Sequence, residues 1–220
     1  MGRVRLGRRA EFIDNKHLAA DAGGNIYITD HEISRIQKFS PDGTFLARWG
    51  EPGMGPGQFD LPYGIAVDGT GTVWVTDVYN NRVQAFNSNV SFLAAWGEPG
   101  TGPGQFNLPA GIAVDGEGRV LVVDIQNCQV QVFYRNGTFL STWGEPGTGD
   151  GLFTNPYSIA LDASGNVYVT DMGNNRVQKF SPNGTFLAKW GRNGGDGTAG
   201  TGRRGACPVS SISRRRSPWT

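Results

Sequence analysis

The sequence predicts an all-β protein with the architecture of a β-propeller, made of repeated four-stranded sheets. The first observation behind this prediction is a Trp-Gly pair that recurs with a constant step of 47 residues. The tryptophans of these pairs are Trp49, Trp96, Trp143 and Trp190. The second observation is that two series of aspartates keep the same step. The series are Asp30, Asp77, Asp124 and Asp171, and Asp21, Asp68, Asp115 and Asp162. Four copies of one unit therefore follow each other without a gap.

The second copy shows the predicted strands in order. GIAVD at 64–68 is a short apolar stretch, and GTG after it is a turn. TVWVTD at 72–77 and RVQAF at 82–86 alternate as strands do, and SFLAAW at 91–96 is a fourth strand. No helical period is present. Four short strands in about 40–50 residues are typical of a propeller blade, whose neighbours supply the contacts that one blade lacks.

The repeat resembles a known family. GPGQFDLPYGIAVD, followed by GTVWVTDVYNNRVQAF, a turn and FLAAWG, is similar to the NHL repeat, and the likeness covers about four fifths of the chain. That family consists of β-propellers, commonly six-bladed. The resemblance implies that four NHL-type blades form an incomplete ring, belonging to a larger ring or to an oligomer. It also implies a recognition module, as in ubiquitin ligases and bacterial sensor kinases.

The chain divides into three parts on this interpretation. Residues 1–11 are a basic extension, and residues 192–220 are a Gly-rich loop with an Arg-rich, disordered tail. The blades span about 12–50, 51–97, 98–144 and 145–191. The tail has a further interpretation: a reading frame displaced by one nucleotide allows PGxFDLPxxVAVD, the start of a fifth blade. We therefore expect residues 203–220 to be a frameshift product, which resequencing of the DNA tests.

Charge and hydropathy restrict the partners. Residues 12–202 carry 11 Lys and Arg against 18 Asp and Glu, a net charge of −7. This part lacks the positive charge that phosphate backbones require, so nucleic acid is not an expected partner. No apolar run is long enough for a membrane span, and no signal peptide is visible. An extracellular or periplasmic location of a full-length parent stays open.

Most of the recurrent charged and aromatic residues have a structural interpretation. An aspartate ends one strand and an arginine begins the next, so a guanidinium forking onto a carboxylate and loop carbonyls is expected in three copies. The pairs are Asp30 with Arg35, Asp77 with Arg82, and Asp171 with Arg176. The third copy lacks the arginine, so Asp124 is either available to a ligand or bonded to Gln129. The four tryptophans are expected to pack between blades.

Two further repeated motifs are interpreted as turn chemistry. The Asn-x-Ser/Thr sequons at Asn89, Asn136 and Asn183 share the register of Asp42, which favours type I′ hairpin turns over glycosylation. The aspartates at the ends of the first strands could form a cation-binding ring. Because every copy has one, capping of the following turn is the preferred interpretation.

Catalysis is not predicted. A propeller metalloenzyme would need several histidines on different blades, and the chain has two, His17 and His31, both in the first copy. No metal site and no cofactor are predicted. A fragment of a lyase- or lactonase-like propeller enzyme remains the alternative, with its catalytic residues on other blades.

Side chains that differ between the copies are the better guide to binding. The loops between second and third strands and between blades are expected on one face. They carry His31, Tyr79 and Gln126, with Tyr63 and Tyr157 in the blade-joining segments. Such residues suit a protein or peptide ligand, although the two latter tyrosines can equally fill the channel. We therefore predict a non-catalytic binding scaffold that can associate with itself to complete the propeller.

Overall fold

The computed structural model describes residues 15–191, which form sixteen β-strands in four antiparallel sheets. The strands are β1 Asn15–Ala20, β2 Ile26–Asp30, β3 Arg35–Phe39, β4 Phe45–Trp49, β5 Pro62–Val67, β6 Val73–Asp77, β7 Arg82–Phe86, β8 Phe92–Trp96, β9 Pro109–Val114, β10 Val120–Asp124, β11 Gln129–Phe133, β12 Phe139–Trp143, β13 Pro156–Leu161, β14 Val167–Asp171, β15 Arg176–Phe180 and β16 Phe186–Gly191. Each sheet takes its four strands, in chain order, from one copy of the repeat, and we number these sheets blades 1 to 4.

The hairpins between third and fourth strands correct one prediction. Type I′ turns need two central residues with positive φ. In each of these loops only the third residue has it, as with Gly43 at +83° and Gly137 at +83°. The amide of Gly137 donates to the carbonyl of Tyr134, so the turn is type I followed by a left-handed residue. The prediction of type I′ turns was wrong, because Asn and Asp in these loops do not have positive φ and only the residue after them is left-handed.

Apolar side chains fill the space between consecutive blades. Trp74, Val83 and Ala85 of blade 2 pack against Val120 and Phe133 of blade 3. Equivalent residues pack at the other two interfaces, except that Lys38 stands in blade 1 where blade 2 has Ala85. Both faces of the central strands in blades 2 and 3 are buried, so β6 and β10 have no exposed residue. Burial between sheets at about 25 cal/mol per Å² is the main term that holds such an array together.

The first and last blades keep one face less covered. In β14 and β15 buried residues alternate with partly exposed ones, and β2 begins with the same alternation. Leu18 is 67% exposed, whereas Ile65, at the same position of blade 2, is 5% exposed. Blades 1 and 4 thus present apolar faces of the kind that the internal interfaces bury, and the four sheets form an incomplete ring.

Three sequence-based expectations lie outside the described residues. They are the basic extension at 1–11, the Gly-rich loop that begins at 192, and the frameshift interpretation of 203–220. Within residues 15–191 the helical content is one short 3-10 turn, and no helix there has the length and apolar character that a membrane crossing needs.

Candidate functional site

One face of the molecule collects the loops that differ between blades. Pro62 at the start of β5 pairs with Asp77 at the end of β6, so the blade-joining segment and the turn after β6 lie at the same end of the sheet. Backbone bonds tie them together, since Val78 donates to the carbonyl of Leu61 at 3.2 Å and Tyr79 to that of Asp60 at 3.1 Å. Blades 3 and 4 repeat both bonds. We call this end of the blades the loop face.

The turns on the loop face contain buried side chains, which hold the turn in place, and exposed side chains, which we call the tips. Val78 and Ile125 are buried, in a cluster with Tyr63 and Ala110. Tyr79 in the turn of blade 2 is 55% exposed, and Met172 in the turn of blade 4 is 52% exposed. The two residues occupy adjacent positions of the repeated turn. Partly exposed His31 and Gln126 lie in the corresponding turns of blades 1 and 3. The backbone of this face is held alike in successive blades while the exposed side chains differ.

Tyr63 and Tyr157 lie on inner strands and contact each other near the axis. Their ring centroids are 5.1 Å apart with an edge-to-face angle of 80°, and the ring of His17 is 4.5 Å from that of Tyr63. Burial raises the pKa of Tyr63, and burial lowers the pKa of His17. These three rings from blades 1, 2 and 4 pack the channel below the loop face. Tyr63 is only 8% exposed, so little of it is open to a ligand.

Arg82 forms a clamp between its own blade and the segment that precedes it. Its Nε donates to Asp77 Oδ2 at 2.8 Å. Its two terminal nitrogens donate to three carbonyls of the loop before β5, at 2.7, 2.9 and 2.9 Å. These carbonyls belong to Met54, Gly55 and Gln58. The guanidinium thereby satisfies a buried carboxylate and fixes the loop at once.

The clamp recurs in blade 4 and is altered in blade 1. Arg176 binds Asp171 at 2.8 Å and three carbonyls at 2.7–2.8 Å, and its side chain is only 1% exposed. In blade 1, Arg35 lies 3.3 Å from Asp30. Ile33 takes the place that Asn80 has in blade 2. The recurrence in three blades fits a structural role for these pairs.

Blade 3 keeps the carboxylate without the cation. Asp124 is completely buried and accepts four hydrogen bonds, all from neutral donors. The donors are the Asn107 amide at 2.8 Å and the side chains of Asn127, Gln129 and Gln131 at 2.7, 3.2 and 3.1 Å. Desolvation raises the pKa of Asp124 to about 6 against the opposing effect of these bonds. Of the two alternatives from the sequence, the structure shows the bond to Gln129.

The tryptophans differ in their surroundings. Trp49 lies 5.8 Å from Phe86 of the next blade, and Trp143 lies 4.3 Å from Phe180. Trp96 likewise contacts the following blade. Trp190 stacks on Tyr168 of its own blade and is 50% exposed, because it belongs to the uncovered face of blade 4.

The aspartates that follow the first strands cap turns. Asp68 Oδ1 accepts the amides of Thr70 and Thr72, and Asp115 Oδ1 accepts those of Glu117 and Arg119. These bonds confirm the interpretation of the aspartates as turn caps. In residues 15–191 no three His, Cys, Asp or Glu side chains come together as metal ligands would.

A series of buried glutamines was missed from the sequence. Gln84, Gln131 and Gln178 are completely buried, and each Oε1 accepts the amide of a loop glycine at 2.9–3.0 Å. Each Nε2 donates to a loop carbonyl and to the clamp aspartate. The same 47-residue step that identified the aspartates marks these glutamines. A polar residue inside an alternating strand was the signal for a buried network.

The fold and the repeat together define the class of the molecule, an open array of β-propeller blades. Matches to the family "NHL repeat" cover residues 59–86, 106–133 and 153–180. Each match runs from the end of the segment before the first strand to the end of the third strand, in blades 2, 3 and 4. Blades 2, 3 and 4 of this chain are thus NHL repeats.

Solved structures with the same arrangement have low sequence identity. A streptogramin B lyase superposes with a TM-score of 0.62 and 18% identity, over 79% of this chain and 53% of that chain. A catalytically inactive virginiamycin B lyase from Staphylococcus aureus, solved with quinupristin, gives 0.64 and 16%, over 85% and 58%. A nidogen/laminin complex gives 0.62 and 18%, over 84% and 66%. The chain thus spans little more than half the length of the two lyases, and these likenesses show the fold alone.

Proposed function

We propose that the chain is a non-catalytic scaffold whose loop face binds a protein or peptide. The observation that carries this proposal is the contrast on that face between a constant backbone and variable exposed tips. The same two backbone bonds hold the turn in blades 2, 3 and 4, at 2.7–3.2 Å. The tips they present include Tyr79 and Met172, each more than half exposed.

Exposed aromatic and Met side chains on a rigid rim are the residue types that dominate recognition of proteins and peptides. Because the turns are already fixed by backbone bonds, binding would cost little ordering of the loops. The presence of a nidogen/laminin complex among the structural neighbours supports protein recognition as a use of this fold.

Selection from a phage-displayed random-peptide library on the immobilised full chain tests this function. Peptides enriched on the chain are expected to lose at least ~10-fold in affinity on Tyr79→Ser or Met172→Ser, as exposed anchor residues do. Leu93→Ser provides the matched control, since Leu93 is 52% exposed but lies on the outer strand β8.

Two results would contradict the proposal. One is the absence of peptide enrichment over an unrelated propeller protein. The other is a set of peptides that bind the two loop-face variants as tightly as the unaltered chain, while Leu93→Ser weakens them.

An enzyme activity is the second candidate, favoured by the lyase neighbours and by the position of His17. That imidazole lies beside Tyr63 near the axis, and burial lowers its pKa, so it is a neutral base at pH 7. A lyase-like reaction would need it open to substrate. Turnover of a streptogramin B antibiotic by the full chain, lost in His17→Ala, would establish this candidate over the scaffold.

A further inference from the structure

The loop that holds an arginine in blades 2 and 4 is also present in blade 3, where the arginine is replaced. In blade 2 the two terminal nitrogens of Arg82 lie among three loop carbonyls at 2.7–2.9 Å. The carbonyls at the equivalent positions of blade 3 belong to Thr101, Gly102 and Gln105. We call these three carbonyls, with the buried carboxylate of Asp124 behind them, the blade-3 cradle.

The blade-3 loop keeps its shape without the arginine. The Gly100 amide donates to the Phe106 carbonyl at 3.0 Å, and the Gln105 amide donates to the Gly102 carbonyl at 3.0 Å. The equivalent bonds of blade 2 are both 3.1 Å. Asn127 holds the Gly100 carbonyl at 2.9 Å, the same distance as in blade 2. The three carbonyls of the cradle are therefore placed as they are around Arg82.

Gln129 replaces only the inner part of the arginine. Its Nε2 donates to Asp124 Oδ2 at 3.2 Å, as the Nε of Arg82 does to Asp77, and its Oε1 accepts a bond from Thr142. A glutamine has no atoms beyond this point that could reach the loop. Within residues 15–191 no donor bonds to the Thr101 carbonyl, and the Gln105 carbonyl receives only Gln131 Nε2.

We propose that the blade-3 cradle is a binding site for a guanidinium group supplied from outside the fold. The planar ion would place its N–H donors on the three carbonyls, in the way that Arg82 and Arg176 show within the same chain. The buried Asp124, which has only neutral partners, favours a cation beside it. A guanidinium suits the site because its fixed fork of donors matches the three acceptors.

The cradle opens to solvent on the loop face. Thr101 and Pro103 are exposed, and Gly102 is partly exposed. The source of the group is either a free guanidinium ion or an arginine side chain of a partner. The second source rests on the proposed function of the loop face, whereas the first does not.

Titration of the ¹⁵N-labelled full chain with methylguanidinium chloride, at pH 7.5 and constant ionic strength, tests the site. We expect saturable shifts of the Gly102 and Gln105 amide signals, with a Kd on the order of a few millimolar. Gln129→Arg fills the cradle with the chain's own guanidinium, as in blades 2 and 4, and is expected to abolish the shifts. Arg82→Gln copies the blade-3 arrangement into blade 2 and is expected to add shifts at Gly55 and Gln58.

Further titrations separate the source of the group and exclude other cations. Saturation by an end-blocked Gly-Arg-Gly peptide, but not by Gly-Lys-Gly, shows that the site takes an arginine side chain. Saturation by methylguanidinium alone shows a site for the free ion and leaves the peptide function to its own test. Linear, unsaturable shifts, equal shifts in Gln129→Arg, or the same shifts with potassium or calcium chloride would each overturn the proposal.

Discussion

Gln129→Arg is expected to stabilise the protein at neutral and alkaline pH and to lose part of that effect in acid. The variant restores in blade 3 the clamp of blades 2 and 4. The new Nε would replace a 3.2 Å bond from a neutral amide by one from a cation, and the terminal nitrogens would reach three carbonyls. Bonds from a charged donor are stronger than those from a neutral one.

The size of this effect follows from the free energy that the ionised, buried carboxyl of Asp124 costs the folded state. Burial raises the pKa of Asp124 from 3.8 to about 6. Because the pKa of this carboxyl is raised in the folded state, Asp124 does not destabilise the protein below pH 4. The free energy of unfolding falls as pH rises and is lowest above pH 6 with respect to this group. Above that range its charged form costs about 3 kcal/mol. The four groups that bond to Asp124 are all neutral, so none of them titrates in this window.

Part of that cost should be recovered by the new cation. Allowing for the ordering and desolvation of the arginine, we expect Gln129→Arg to raise the free energy of unfolding by about 2 kcal/mol at pH 8. At pH 4 the carboxyl is protonated, and the gain should shrink to the part that the bonds to the three carbonyls supply.

Urea unfolding of the two proteins at several pH values between 4 and 8 measures the effect. Gln129→Lys is the control for charge alone, and its gain should be less than half as large, because an ammonium cannot span three carbonyls as a fork does. A gain that stays constant from pH 4 to 8 would refute the role given to Asp124. No gain at pH 8 would refute the restored clamp.

Three other predictions concern the clamp, one turn and the outer faces. Arg176→Gln should lower the free energy of unfolding by about 3 kcal/mol in urea titrations, since it removes bonds to three carbonyls from a buried guanidinium; a loss below ~1 kcal/mol would mark an ordinary surface ion pair. Val90→Gly should raise the free energy of unfolding by about 1 kcal/mol, and with it the melting temperature, because Val90 has φ +62° where the other three hairpins have glycine. A lower melting temperature would contradict this. The full chain should associate with increasing concentration in light scattering, and Tyr168→Lys should lower the associated fraction; a monomer at all concentrations would exclude the uncovered faces as contacts.

The sequence was sufficient for the parts that repeat. Trp49 and its counterparts and Asp77 with Arg82 share one step, and a constant step places every copy at the same point of its blade. The type I′ expectation was wrong because Asn-Gly fits either of two hairpin loops, and the choice depends on how the next strand is staggered. The contact of Tyr63 with Tyr157 joins blades 2 and 4. Distances across a ring are set by blade number and tilt, which a repeat of 47 residues does not specify.

The position where the repeat fails carries more functional information than those where it holds. A residue present in every blade has to serve the blade, as Asp77 and Asp171 do with their arginines. Asp124 shares their burial and their loop, and differs in one partner, Gln129. Because the loop is held by its other bonds, that change removes a cation without removing the acceptors around it. A buried anion with neutral partners costs stability, and a binding function on the loop face would explain a cost that a single arginine could remove.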